Sequence, residues 1–182
     1  MDAEKKIIEA SITLFTENGY LGTSTKAIAE EANVSEMTLF RKFKTKQNLF
    51  ESMLKYTLGH ELSESNDFDM TLPLDQFTKQ ILHNRLLLIS KHIKLVQMII
   101  QESLQGRLIQ ELNFIGMMSQ KLKNQFETYF QNNEISSIEV FSNHIIGIVL
   151  EYAVIEYHMD YHLLSQEEQE SLLKSHMQVI RT

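Results

Sequence analysis

The chain has 182 residues, 43% of them hydrophobic and 23% charged, a formal net charge of −7 and no cysteine. That composition describes a globular protein with one or two cores, and the lack of thiols excludes a disulfide framework, thiolate metal sites and a cysteine nucleophile. The opening MDAEKKIIEA does not read as a secretory signal and no stretch approaches the ~18 apolar residues of a membrane span, so the expectation is a cytoplasmic protein with no membrane role.

Residues 1–58 hold eight Lys/Arg and eight Asp/Glu, while residues 59–182 hold nine and sixteen. A neutral end can approach a polyanion and an acidic end cannot, which divides the chain into 1–58 and 59–182. Six glycines, one proline and abundant Leu, Ile, Glu, Gln and Lys favour helix throughout. The fold class expected is all-α, with about nine helices.

The first helix is expected over Ala3–Asn18, with Ile7, Ile8, Ser11, Leu14 and Phe15 on one side and Gly19 as its stop. Ser24 caps a second over Thr25–Ala32, and Asn33 supplies the left-handed backbone of a sharp turn. Ser35 caps a third through Phe43, and Thr45 a fourth that starts near Lys46 and links head to body over about 46–58. Glu61 to Pro73 reads as a linker. Five longer patterns follow, at about Leu74–Ser90, Lys91–Leu104, Leu108–Phe130, Ser136–Asp160 and Gln166–Arg181.

Two short helices joined by three or four residues form a helix-turn-helix. Ile28, Ala29, Ala32, Val34, Leu39 and Phe43 would pack the pair together and leave Glu36, Thr38, Arg41 and Lys42 on the polar face. Such a helix fits the major groove, and cations behind it suit phosphates. Arg41, Lys42, Lys44 and Lys46 fall there, so a DNA contact is preferred over the ordinary solvated face.

Residues Ile7 to Leu54, IIEASITLFTENGYLGTSTKAIAEEANVSEMTLFRKFKTKQNLFESML, resemble the DNA-binding domain of TetR-type (TetR/AcrR) transcriptional regulators. The string LF..NGY..TS...IA..A.VS..TLF..F..K..L carries the resemblance across little more than a quarter of the chain. It implies a three-helix helix-turn-helix domain followed by a helical ligand-binding and dimerisation domain. It also implies DNA contacts from Ser24, Thr25, Ser35 and Thr38, with Phe40 and Lys46 at backbone-contacting positions. Phe40 stands where the family usually has Tyr, so a phosphate contact is lost or passes to Lys42 or Lys44. Met37 replaces a common Gly and is suited to a thymine methyl.

In Ser136–Asp160, Phe141, His144, Ile145, Ile148, Tyr152 and Ile155 fall on one side, and Ile146, Leu150, Ala153 and Tyr157 on the other. Two opposed stripes mean burial on both faces, and the second stripe suggests another copy. Leu172, Leu173, His176, Met177 and Ile180 on the last helix would join it in an isologous four-helix interface. Family resemblance implies the same homodimer, reading a palindromic double-stranded operator.

The resemblance also implies a small-molecule pocket between Leu74 and Phe130. Met98, Phe114, Met117, Met118 and Phe126 either line an adaptable apolar cavity or simply pack a core. Ile148 and Tyr152 are candidates from the next helix. Glu102 and His144 would orient the polar end of an effector or satisfy each other.

His158 and His162 have metal-ligand spacing, but no third ligand is in view and no metal or cofactor is expected. No GxSxG, HExxH, P-loop or GxGxxG occurs, and no enzyme activity is expected. The function read from all this is a ligand-responsive repressor released by a small, apolar effector. The alternative is a helical interaction protein that keeps the DNA-binding head but answers to a protein partner.

Overall fold

The computed structural model describes residues 2–59, 68–105, 114–130, 138–155 and 160–180. Among them run nine α-helices and no strand: α1 Ala3–Gly22, α2 Thr25–Glu31, α3 Glu36–Phe43, α4 Lys46–Leu54, α5 Leu74–Lys91, α6 Ile93–Leu104, α7 Phe114–Tyr129, α8 Ile138–Val154 and α9 Gln166–Ile180. A π-helical turn, Lys55–Gly59, extends α4, and a 3-10 turn, Tyr161–Leu163, precedes α9. None of the described helices is long and apolar enough to cross a membrane.

The helices form two compact units. The first holds α1 to α4 together with α6 from Lys94 onward. The second holds α5, α7, α8 and α9. In the sequence division, α6 fell with the acidic body.

In the first unit, hydroxyl caps set the short helices. Ser24 Oγ accepts from Ala27 N at 3.0 Å, Ser35 Oγ from Thr38 N at 3.1 Å and Thr45 Oγ1 from Asn48 N at 3.0 Å. Each satisfies a donor that the first turn leaves unpaired, an effect of about 1 kcal/mol. Asn33 adopts φ 52°, the left-handed turn expected of it. Ile7, Phe15, Ile28, Leu39, Leu49, Phe50 and Met53 are fully buried and form the core. Phe15, Tyr20 and Phe50 meet as an aromatic trio with centroids 5.0–5.7 Å apart.

Gly19 breaks α1 with φ 74° and ψ 171°, but the helix resumes and reaches Gly22. Thr23 secures that last turn, its hydroxyl lying 2.9 Å from the carbonyls of both Leu14 and Gly19.

In the second unit α5 packs on α8, α9 and the 3-10 turn, and α7 packs on α8. Phe77 lies at its centre, stacked on Tyr129 at 4.2 Å and edge-on to Phe126 at 5.6 Å. Phe68, assigned from the sequence to a linker, is buried with its ring 6.0 Å from that of Phe77.

Tyr161 is wholly buried, and its hydroxyl lies 2.7 Å from His83 Nδ1. Ser90 Oγ and His162 Nδ1 are 2.6 Å apart, and Tyr152 OH and His176 Nε2 are 2.7 Å apart. Burial first, then Tyr152 and Glu170, raises the Tyr161 phenol above its ordinary range, so it meets His83 as a neutral hydroxyl.

Candidate nucleic-acid interface

The α2–α3 corner is built by small and apolar contacts. Ile28 and Ala29 are buried beneath α3, whose Leu39 and Phe43 are buried as well. Val34 N donates to Ala29 O at 2.9 Å and Asn33 N to Glu30 O at 3.0 Å, which closes the turn. The inner side of α3 is thereby fixed, and its outer side stays in solvent. Met37 is 79% exposed and Phe40 42%, although apolar side chains of this size usually seek cover.

The hydroxyl residues expected at DNA order the helix starts. Thr25 Oγ1 donates to Glu36 Oε1 at 2.7 Å, tying α2 to α3. The Ser35 and Thr38 hydroxyls lie 2.9 Å apart. Ser24, Ser35 and Glu36 are exposed, and Thr25 and Thr38 half-buried.

The four cations divide. Arg41 and Lys44 are exposed. Lys44 sits at the C-cap of α3 with φ 64°, its N–H donating to Phe40 O at 2.8 Å. Lys42 turns toward the start of α1, 3.3 Å from Glu4 and 3.6 Å from Asp2. Lys46 lies half-buried over the Tyr20 ring, 4.6 Å from its centroid. Burial draws its ammonium below the ordinary lysine range, and Glu102 partly opposes that. The sequence had no means of finding the Lys42 pairs, because Asp2 and Glu4 lie about forty positions upstream.

The family profile described as bacterial regulatory proteins, tetR family, matches residues 7–53, which span α1 to α4. Those residues are a TetR-family DNA-binding segment. Over 50 residues it is 54% identical to the HTH-type transcriptional regulator YvkB of Bacillus subtilis (strain 168), an alignment covering 28% of this chain and 26% of YvkB. It is 40% identical over 50 residues to IcaR of Staphylococcus aureus (strain Newman), the negative transcriptional regulator of the biofilm operon icaADBC, covering 28% and 27%. The match therefore spans about a quarter of the length of each relative. The fold extends further. The crystal structure of Bacillus subtilis FadR in complex with stearoyl-CoA superposes with a TM-score of 0.68 over 97% of this chain and 96% of that one, at 19% identity.

Beyond the TetR-type head, the expected pocket residues have varied surroundings. Met98 and Glu102 are buried in the first unit, and the rest belong to the second. The side chains of Phe114 and Met117 lie outside the described residues. Met118 and Ile148 are half-buried. Phe126 packs in the aromatic core, 4.9 Å from Phe141.

His144 corrects the expectation of a polar group facing a ligand. It is exposed, with Nδ1 2.8 Å from the Val140 carbonyl of its own helix. Tyr152 borders a cavity of about 10 Å³ with Leu86, Ile89, Ser90, Ile93, Asp160 and Tyr161, room for about one water.

Sequence reasoning passed over Arg85, which is 2% exposed on α5. Its Nη2 donates to Gln125 Oε1 at 3.0 Å, and burial lowers its pKa to about 10. It therefore keeps its charge at neutral pH, inside the second unit.

The expected dimer stripe also needs correction. Ala153, Leu173 and Met177 are buried within this chain, because the inner face of α8 runs through Ser142, Ile145, Val149 and Ala153. Ile146, Leu150, Leu172, His176 and Ile180 are half-buried, and Tyr157 lies outside the described residues. The large apolar groups left in solvent on these helices are Val140, Val154 and Val179, the last 75% exposed. A helical period identifies faces but not which face the chain itself covers.

α8 ends at Val154, and His162 belongs to the 3-10 turn. His158 lies outside the described residues.

Proposed function

We propose that this chain is a TetR-family transcriptional repressor that binds a palindromic operator as a homodimer and leaves it when a small, apolar effector binds. The carrying observation is the two-sidedness of α3: Leu39 and Phe43 are buried, while Met37, Phe40 and Arg41 face solvent behind an ordered, hydroxyl-capped start. A helix presented this way enters the major groove with its first turn at base edges.

Ser24, Thr25, Ser35 and Thr38 act at the helix starts, and Glu36 orients Thr25. Met37 offers a methyl-sized apolar contact. Arg41 and Lys44 take phosphates, with Lys44 standing in for the hydroxyl that Phe40 lacks. Lys42, held by Asp2 and Glu4, contributes less than its exposed neighbours. Residues 1–58 serve as the DNA-binding part and 59–182 as the ligand-binding and dimerising part of a cytoplasmic protein.

Repression is supported by the negative regulator IcaR, and an apolar effector by FadR bound to stearoyl-CoA. The exposed Val140, Val154 and Val179 support a partner copy. Two heads on one duplex would read half-sites about 34–36 Å apart, or a multiple of that. Release requires the effector to prefer the DNA-free state, by about 10⁴-fold to move an equilibrium from 1:99 to 99:1.

The test is a mobility-shift titration on duplex from the chain's own upstream region against a scrambled duplex, across a salt series. Selective, salt-sensitive binding at a stoichiometry of two chains per site is expected. Equal affinity for both duplexes would refute operator reading.

A further inference from the structure

Glu102 is a carboxylate on an otherwise apolar run of α6, IKLVQMIIQESL, and only 6% of it is exposed. It lies in the same compact unit as the head. A Cβ built on Gly19 would come within 2.5 Å of Glu102 Oε1 and 3.6 Å of its Cδ. The carboxyl group thus rests on the bare Cα at the break in α1, in space that any other residue would fill. The next residue is Tyr20, and the ammonium of Lys46 lies over its ring. Glu102 also attracts Lys46 electrostatically, against the burial that disfavours the lysine's charge. One cation at the start of α4 therefore lies over a π-face, next to the glycine on which an acid from a different helix rests.

A phosphate at the start of α4 would compete with that acid for the same ammonium, and would also feel the acid's own negative charge. Both effects have one sign. We propose that Glu102 is a positioning residue for DNA binding: lodged over Gly19, it holds the Lys46 ammonium against Tyr20 and limits how much of that charge reaches the DNA backbone. It acts through Lys46 and touches no nucleotide.

The proposal rests on the DNA-binding reading above and deepens it. It gives α6 a hold on the head through charge, so that a shift of α6 by a single helical rise of about 1.5 Å would change the grip. Gly19 is required at this position for a second reason besides its backbone angle, since a side chain there would evict the carboxylate.

Four proteins test this: the wild type, Glu102→Gln, Lys46→Gln and the double variant, each as the full chain. Binding to a non-specific duplex is followed by fluorescence anisotropy across a salt series, with no effector and no operator required. Glu102→Gln keeps the shape and removes the charge. It is expected to tighten binding about three- to tenfold at low salt, as befits one unit charge near the surface, and to steepen the salt slope by up to about 0.9. In the Lys46→Gln background the same change is expected to give only the smaller gain that comes from losing the acid's own charge.

Thermal unfolding by circular dichroism reports whether each variant is folded. A folded Glu102→Gln that binds like the wild type or more weakly overturns the latch. So does an equal gain in both backgrounds, which would mark a general charge effect. The wild type gives a further readout: Lys46 side-chain resonances in the DNA-free protein should show a ring-current shift from Tyr20, and its absence overturns the latch as well. A wild type that binds no duplex at low salt removes the DNA-binding reading and the latch together, whereas a wild type that binds while Glu102→Gln matches it removes the latch alone.

Discussion

Replacing Gly19 with alanine tests the geometry of the head at its tightest point. At φ 74° and ψ 171° the backbone occupies a region open essentially to glycine alone, where another residue costs about 1–3 kcal/mol. The new Cβ would stand 2.5 Å from Glu102 Oε1. Because that oxygen ends a flexible side chain, the carboxyl can rotate aside, and the contact adds less than the backbone does.

A total near 2–3 kcal/mol is expected, against a typical domain stability of about 5–15 kcal/mol. With a urea slope of about 2 kcal/mol per molar, the unfolding midpoint should fall by roughly 1–1.5 M. Adding Glu102→Ala should recover only the smaller, contact part of the loss. A shift under about 0.3 M in Gly19→Ala would refute the backbone argument. Full recovery in the double variant would mean that the contact, and not the angle, excludes a side chain.

Leu39→Ala removes the fully buried anchor of α3 and should cost about 2–5 kcal/mol in urea unfolding, with DNA binding lost in proportion to the unfolded fraction. Lys44→Gln should weaken binding to every duplex and lower the salt slope by about 0.9, while Thr38→Ala should change the ranking of operator variants; anisotropy titrations on a small duplex panel separate the two. Val179→Glu places a charge on an exposed apolar position of α9 and should shift sedimentation toward the monomer, with palindrome affinity falling more than half-site affinity. Burial holds His83 and His176 below the ordinary histidine range; Glu170 partly opposes this for His83, where Lys79 adds to it, and Glu151 partly opposes it for His176. The unfolded chain therefore binds protons that the folded unit refuses. Stability should be full above the unfolded value of about 6.5 and decline as pH falls from there toward the lower folded values. Urea unfolding across that window should show this slope, and it should flatten in a His83→Gln, His176→Gln double variant.

How well the sequence foretold the structure followed the range of each interaction. Ser24, Ser35 and Thr45 cap their helices because a cap involves only the next few residues, and Asn33 takes a left-handed angle for equally local reasons. Leu39 and Phe43 are buried because their period matches a helix of two turns on a small corner. The acid pair on Lys42 joins positions far apart in the chain, and no spacing rule finds it. Tyr161 was passed over between two histidines that drew attention for metal spacing, yet it is the buried residue whose hydroxyl meets His83. Arg85 carries a polar symbol into an apolar helix, so a period count assigns it to the surface, although its guanidinium is buried beside Gln125. On α8 every face is apolar enough to be buried, and the sequence alone could not choose Ala153 for the inside and Val154 for the outside.

The most direct test of the central claim is amide chemical-shift mapping of the full chain as duplex is added. If the outer side of α3 meets base pairs, the largest changes should fall on Ser24, Thr25 and residues 35–46, with the buried Leu39 and Phe43 side chains unmoved. Changes gathered on α8 and α9 instead, with residues 35–46 silent, would contradict the account.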